Sequence, residues 1–170
     1  PQDLLRVLAQ YRATGLAAVP TIWNKLAFLE WPADALVSLR FITNTGGSLP
    51  TATTLALQNK LPDTKIYLMY GLTEAFRSTY LPPDQVDLSP LSIGRAIPNA
   101  EIHVINEKGE ECGPDEPGEL VHRGPLVSMG YWNAPELTAQ RFRPGPGSPT
   151  ELTLPDIAVW SGDRVRRDEE

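Results

Sequence analysis

The first seventy or so residues alternate helical apolar spacing with short apolar runs, and this alternation restricts the fold more than any other feature. Leu4, Leu5, Val7, Leu8 and Tyr11 recur at the spacing of one helical face, and Gly15 is predicted to end that helix. Leu16-Ala17-Ala18-Val19, bounded by Pro20, reads as a buried strand. Thr21 is the predicted N-cap of a second helix reaching Leu29, with Ile22, Leu26 and Leu29 inward. Trp23 serves either the core or a partner surface, and the core is the favoured reading. Residues 36–41 lead into a strand, Ile42-Thr43-Asn44-Thr45, that ends at Gly46-Gly47-Ser48. Pro50-Thr51 opens a third helix, with Thr51 as its cap and Leu55 and Leu57 among its apolar positions. Pro62-Asp63 breaks it, and Lys65-Ile66-Tyr67-Leu68-Met69 forms the next strand. Helix and strand in regular alternation imply a parallel sheet with helical crossovers. The glycine-bearing strand ends, Gly46-Gly47 and Gly71, then share one edge, because parallel strands bring their carboxyl ends together.

The pattern changes after residue 80. Leu81-Pro82-Pro83-Asp84 and Leu88-Ser89-Pro90 read as a link between two subdomains, an α/β part over residues 1–85 and a β-rich part over 86–170. In the second, Glu101-Ile102-His103-Val104-Ile105 is a strand followed by the turn Asn106-Glu107-Lys108-Gly109. A turn over residues 113–118 and a strand Glu119-Leu120-Val121-His122 come next. Pro135 opens a short helix reaching Phe142, its ring suited to the first turn. Residues 143–149 form a Gly/Pro-rich loop, and a last apolar strand from Ile157 to Trp160 ends at Ser161-Gly162-Asp163. The fold class expected is α/β: a parallel α/β sheet portion followed by a small antiparallel sheet or barrel.

Composition narrows the function. Apolar residues make up 41% and charged residues 21%, as in ordinary globular chains. A net charge of -6 argues against a nucleic-acid surface. Arg164, Arg166 and Arg167 are diluted at once by Asp168-Glu169-Glu170. Cys112 is the single cysteine, so an internal disulfide and a cysteine-built metal site are excluded, and a reducing, cytoplasmic setting is expected. No apolar run approaches the ~20 residues of a membrane span. The chain starts at Pro1 and stops in a charged run, and it is read as a piece of a longer protein.

Tyr70-Gly71-Leu72-Thr73-Glu74 carries the chemistry. The tyrosine offers an aromatic face, and the glycine lets backbone approach a flat ligand. Thr73 offers a hydroxyl to a phosphate oxygen, and Glu74 is a hard oxygen ligand for Mg²⁺ shared with phosphates. Thr73-Glu74 would equally serve as a helix cap after a buried tyrosine. Gly46-Gly47-Ser48 either cradles a ligand or makes a plain turn. Asp163 either accepts from a ribose diol or closes an Asx-turn. His103 and His122 read as half-exposed strand residues, and no local nucleophile–base pair stands out.

Taken in order, Gly46-Gly47-Ser48, Tyr70-Gly71-Leu72-Thr73-Glu74, Gly118-Glu119-Leu120 with Arg123-Gly124, Gly130-Tyr131-Trp132-Asn133 and Ser161-Gly162-Asp163 resemble the AMP-forming adenylating superfamily: acyl-CoA synthetases, peptide-synthetase adenylation domains and luciferases. The resemblance covers nearly the whole chain. It implies that ATP and a carboxylate give acyl-AMP and pyrophosphate, with transfer of the acyl group to a thiol, coenzyme A being the expected acceptor. It also implies that Tyr70 stacks on adenine and that Gly46, Gly47 and Ser48 line the adenine and acyl side. Gly71 and Leu72 would border the acyl pocket, and Phe76, Arg77 and Tyr80, which follow the motif, are candidates for setting acyl specificity, which is otherwise open. Thr73 would contact the α-phosphate, Glu74 would bind Mg²⁺, and Asp163 would hold the ribose hydroxyls. Gly118-Glu119 and Gly130-Tyr131-Trp132 are read as structural. A Gly/Ser/Thr-rich phosphate loop and a catalytic lysine are absent from this sequence, Ser-Gly-Asp replaces the commoner Thr-Gly-Asp, and residues 143–150 are longer and richer in proline than usual. The isolated fragment is therefore expected to be inactive, with a sheet edge open to self-association. Two alternatives stand beside the acyl-CoA synthetase reading: a peptide-synthetase-type adenylation domain, and a non-catalytic interaction module on the same fold.

Overall fold

The computed structural model describes residues 1–147 and 156–169. It divides into two units, one made of Pro1–Gly71 and Thr79–Arg95, the other of Leu72–Ser78 and the described residues from Ala96 onward.

The first unit begins with α1 (Gln2–Gln10) and β1 (Gly15–Ala18). Gly15 does not end the helix as expected. The chain leaves α1 at Tyr11 and turns at Arg12, whose φ is 49°, and Gly15 is already in the sheet under the Phe41 ring. Next come α2 (Pro20–Leu26) and α3 (Ala33–Ser38), then β2 (Phe41–Asn44). The cap expected at Thr21 is not made. Pro20 occupies the first turn of α2, where its missing N–H costs nothing. Residues 36–41 also depart from expectation, because α3 holds the chain helical to Ser38 before β2 starts. The fourth helix, α4 (Thr51–Lys60), includes Thr51 rather than being capped by it. Strand β3 (Lys65–Leu72) follows.

Strands β1, β2 and β3 pair in parallel, Ala18 opposite Asn44 and Asn44 opposite Leu68. The parallel sheet inferred from helix–strand alternation is thus present. One continuous apolar cluster lies against it, centred on the fully buried Trp23, Leu26 and Leu57. Trp23 belongs to the core. Its indole N–H also donates to the carbonyls of Ala18 (3.1 Å) and Thr43 (3.3 Å), near the carboxyl ends of β1 and β2.

Strand β3 does not end at Gly71. It runs to Leu72, Thr73-Glu74 form a two-residue turn, and β4 (Ala75–Leu81) begins at once. The helix-cap alternative for Thr73-Glu74 is therefore excluded. A 3-10 turn (Pro83–Gln85) and the short β5 (Arg95–Ala96) follow, and the five-stranded sheet runs in the order β1-β2-β3-β4-β5.

The second unit holds an antiparallel sheet of β6 (Glu101–Ile105), β7 (Gly118–Arg123), β8 (Phe142–Pro144) and β9 (Ile157–Val165), in the order β6-β7-β9-β8, with α5 (Pro135–Arg141) packed on β8 and β9. Residues 143–149 were expected as loop. Arg143 and Pro144 instead pair with Ala158 and Ile157, and residues 148–150 lie outside the described residues. Strand β9 does not stop at Trp160 either, but continues through Ser161-Gly162-Asp163 to Val165. His122 is fully buried rather than half-exposed. Its Nδ1 lies 2.8 Å from Ser78 Oγ, while Nε2 has no hydrogen-bond partner, and burial pushes its pKa down. His103 is half-buried, 2.9 Å from Glu111.

Candidate functional site

At the carboxyl edge of the parallel strands, Gly46-Gly47-Ser48 leave β2 exposed while β3 continues beside them. Asn44 pairs with Leu68 in parallel, so the Gly46-Gly47 turn and Tyr70-Gly71 both follow that pair at the carboxyl side of their strands. The sequence expectation that these residues share an edge holds, with Gly71 inside its strand. Tyr70 is half-buried there. Asn44, which sequence reading passed over, fixes the glycine turn by donating its Nδ2–H to Gly47 O at 2.9 Å. Its Oδ1 and the neighbouring Thr43 Oγ1 are buried without a hydrogen-bond partner. Two unpaired buried acceptors at a strand end are costly unless something donates to them. The groove of about 640 Å³ between α4 and the start of β3 lies at the opposite, amino end of the strand, away from Tyr70.

The second unit holds Leu72, Thr73, Glu74 and Asp163. Leu72 packs on the Ala75, Phe142 and Val159 cluster. Thr73 is exposed at the turn tip. Glu74 is half-buried and anchored twice: Ser128 N–H donates to its backbone carbonyl at 2.8 Å, and the Tyr131 hydroxyl donates to its Oε1. The hydrogen bond to Glu74, then burial, then the carboxylate charge raise the Tyr131 pKa, which keeps the phenol protonated as a donor. Tyr131 is itself held, its ring edge-on to Phe142 at 5.6 Å and its N–H donating to Thr138 Oγ1 at 2.9 Å. Sequence reading assigned Gly130-Tyr131-Trp132 a structural part only. Nothing in the local pattern showed that Tyr131 would meet a carboxylate 57 positions earlier.

Asp163 sits in a bulge. Trp160 pairs with Val121 and Arg164 with Glu119, so Ser161-Gly162-Asp163 face the single residue Leu120. Gly162 makes this possible with φ 79°, where an L side chain is strained, and a Cβ there would stand 2.4 Å from Arg141 Nη1. Three contacts lock the bulge: Ser161 Oγ donates to Leu120 O (2.7 Å), Gly162 N–H to Glu119 Oε1 (2.9 Å), and Arg141 Nη1–H to Ser161 O (2.6 Å). Asp163 N–H donates to Ser161 Oγ at 3.1 Å, so the hydroxyl closes the turn and the Asp163 side chain stays exposed. Thr138 and Arg141 thus lie one turn apart on α5 and brace Glu74, through Tyr131, and the Asp163 bulge respectively.

Among the described residues no group of three or more His, Cys, Asp or Glu is placed to hold a metal ion. No helix among the described residues is long and apolar enough to cross a membrane.

Comparison with known proteins identifies the family and the fold. The AMP-binding enzyme family matches residues 1–132. Bacitracin synthase 3 of Bacillus licheniformis is 33% identical over 152 residues, covering 89% of this chain and 2% of that protein. A long-chain-fatty-acid–CoA ligase of Salmonella typhimurium is 32% identical over 173 residues, covering 98% of this chain and 29% of the ligase. The chain therefore spans less than a third of the length of these relatives. The crystal structure of VinN superposes with a TM-score of 0.82 at 32% identity, over 98% of this chain and 40% of that one. With the family matched over most of its length and the mixed α/β fold shared, this chain belongs to the AMP-binding enzyme family.

Proposed function

We propose that the protein containing this chain is an AMP-forming acid–thiol ligase of the acyl-CoA synthetase type. A carboxylate oxygen attacks the α-phosphorus of ATP, pyrophosphate leaves, and a thiol, here coenzyme A, then displaces AMP from the acyl carbon. The observation that carries the reading is the two-residue turn Thr73-Glu74, which stands directly beyond Tyr70-Gly71 with its carboxylate oriented by Tyr131. Tyr70 would stack on adenine beside Gly46, Gly47 and Ser48, and the unpaired Asn44 Oδ1 suits a donor such as the adenine amino group. Gly71 and Leu72 would border the acyl group, Thr73 would donate to an α-phosphate oxygen, and Asp163 would accept from the ribose diol. Charge that develops on phosphate oxygens is stabilised by donors already fixed in place.

Glu74 fits Mg²⁺. A carboxylate offers about four acceptor positions, so the one hydrogen bond from Tyr131 leaves room, and Mg²⁺ is commonly held by one or two carboxylates with phosphates and water. Bound there, the ion would neutralise phosphate charge. Fatty acids are the favoured substrate class and the cytoplasm the favoured compartment, in keeping with the lone, buried Cys112. The separated chain would be inactive and would associate through the open side of β1, which among the described residues is paired on one side only.

Pyrophosphate release by the full-length protein and by this chain, over fatty and aryl acids, tests the reading. The expected result is turnover by the full-length protein only. No turnover of any carboxylate by the full-length protein would overturn the ligase reading, and equal turnover by the fragment would overturn its inactivity. A peptide-synthetase-type adenylation domain would instead activate amino acids. Under the non-catalytic alternative, AMP binding would be the same in wild type, Tyr70→Ala and Asp163→Ala.

A further inference from the structure

We propose that Tyr131 is a positioning residue for the metal-binding carboxylate: its hydroxyl fixes Glu74, and α5 fixes Tyr131. The inference rests on the proposed role of Glu74. An unheld glutamate at a turn tip samples several rotamers, and freezing them on binding costs free energy. Here the cost is met in advance. The Tyr131 hydroxyl donates to Glu74 Oε1, and Ser128 N–H pins the backbone of the same residue at 2.8 Å.

The tyrosine has little freedom of its own. Phe142 meets its ring edge-on at 5.6 Å, and Thr138 Oγ1 accepts its N–H at 2.9 Å while donating to Ala134 O at 2.9 Å. The route therefore runs from the first turn of α5 through Thr138 and Tyr131 to Glu74. Outer partners that orient a metal-binding side chain in this way commonly set metal affinity by about 10- to 100-fold.

The test uses the full-length protein and calorimetry, with no turnover required. Two probes are compared: the Mg²⁺ complex of α,β-methylene-ATP, and AMP without metal. Tyr131→Phe, which keeps the ring, should weaken the Mg²⁺–nucleotide complex about 10-fold and leave metal-free AMP unchanged. Glu74→Gln should lose the same increment, and Tyr131→Phe should add nothing in that background. Unchanged binding of both probes, equal weakening of both, or additive losses in the double variant would each overturn the positioning role. Wild-type binding of the Mg²⁺ complex by Glu74→Gln would instead overturn the role of Glu74 on which it rests. Should Tyr131→Phe fail to fold, Thr138→Val is the second probe. It should weaken the Mg²⁺ complex selectively and be rescued by Thr138→Ser, and a loss equal for both nucleotides would overturn the proposal.

Discussion

The two units reach order by different means. The first gathers one apolar cluster from helices and parallel strands, with Trp23, Leu26 and Leu57 fully out of water. Among its described residues the second has two small clusters, around Phe142 and around Ile105, and relies on close backbone approach and side-chain hydrogen bonds. Its described ion pairs are exposed or partly exposed, among them Arg123 with Asp156 at 2.5 Å. Such pairs contribute at most about 1 kcal/mol. A thick core tolerates local irregularity because burial is non-directional. A thin sheet must place individual atoms, so its weak points are glycines and buried polar groups.

The largest effect is expected in the first unit. Trp23→Ala removes a fully buried ring and the N–H that reaches Ala18 and Thr43, and it should destabilise by about 3–5 kcal/mol in urea unfolding. A loss below about 0.5 kcal/mol, the size of a surface change, would break the contrast between the units.

Gly118→Ala comes next, in the second unit. A Cβ there would stand 2.7 Å from Ile105 O and 2.6 Å from Cys112 Sγ, and a paired strand carbonyl cannot move aside. The expected cost is about 1–3 kcal/mol, with near-ultraviolet signals of the second unit lost first. Gly15→Ala, whose three nearest contacts are all atoms of the Phe41 ring, should cost less because that ring can swing away. Equal costs would mean that the sheet of the second unit is more yielding than its contacts imply.

The smallest and most diagnostic effect is acid sensitivity. His122 is held neutral by burial, with its pKa below the ordinary value. The unfolded chain takes up a proton near pH 6.5, where the native chain refuses it. Stability is therefore complete above about pH 7 and falls as pH drops through 6.5. Melting curves at pH 7.5 and 5.5 should show the second unit losing ground at the lower pH by up to about 1.4 kcal/mol per pH unit, and His122→Gln should flatten that slope. An acid-insensitive second unit in the wild type would show that His122 is protonated without penalty.

Much of this was legible in the residue pattern. Period-3.6 and short apolar runs marked α1, β1, α2, β2, α4 and β3 because helix and strand bury different periodicities. Glycine positions were the least legible. Gly15 stood where a helix stop was expected and proved to be a packing site under Phe41. Gly71 was expected to end a strand and lies within one, while Gly162 was expected to follow a strand and makes a bulge inside it. Glycine permits a turn, a bulge or a close approach equally, and only the neighbours decide which.

The sequence by itself determined the α/β class, the helix–strand alternation of the first part and the family, since these depend on local periodicity and on motifs of consecutive residues. Tertiary structure decided what the motifs do to one another. Tyr131 meets Glu74 across 57 positions and Arg141 meets Ser161 across 20, both through α5. His122 is sealed in, and Asn44 ties down the glycine turn, because strand register places them there. Contacts of that kind depend on pairing and register between distant segments, which no local pattern carries.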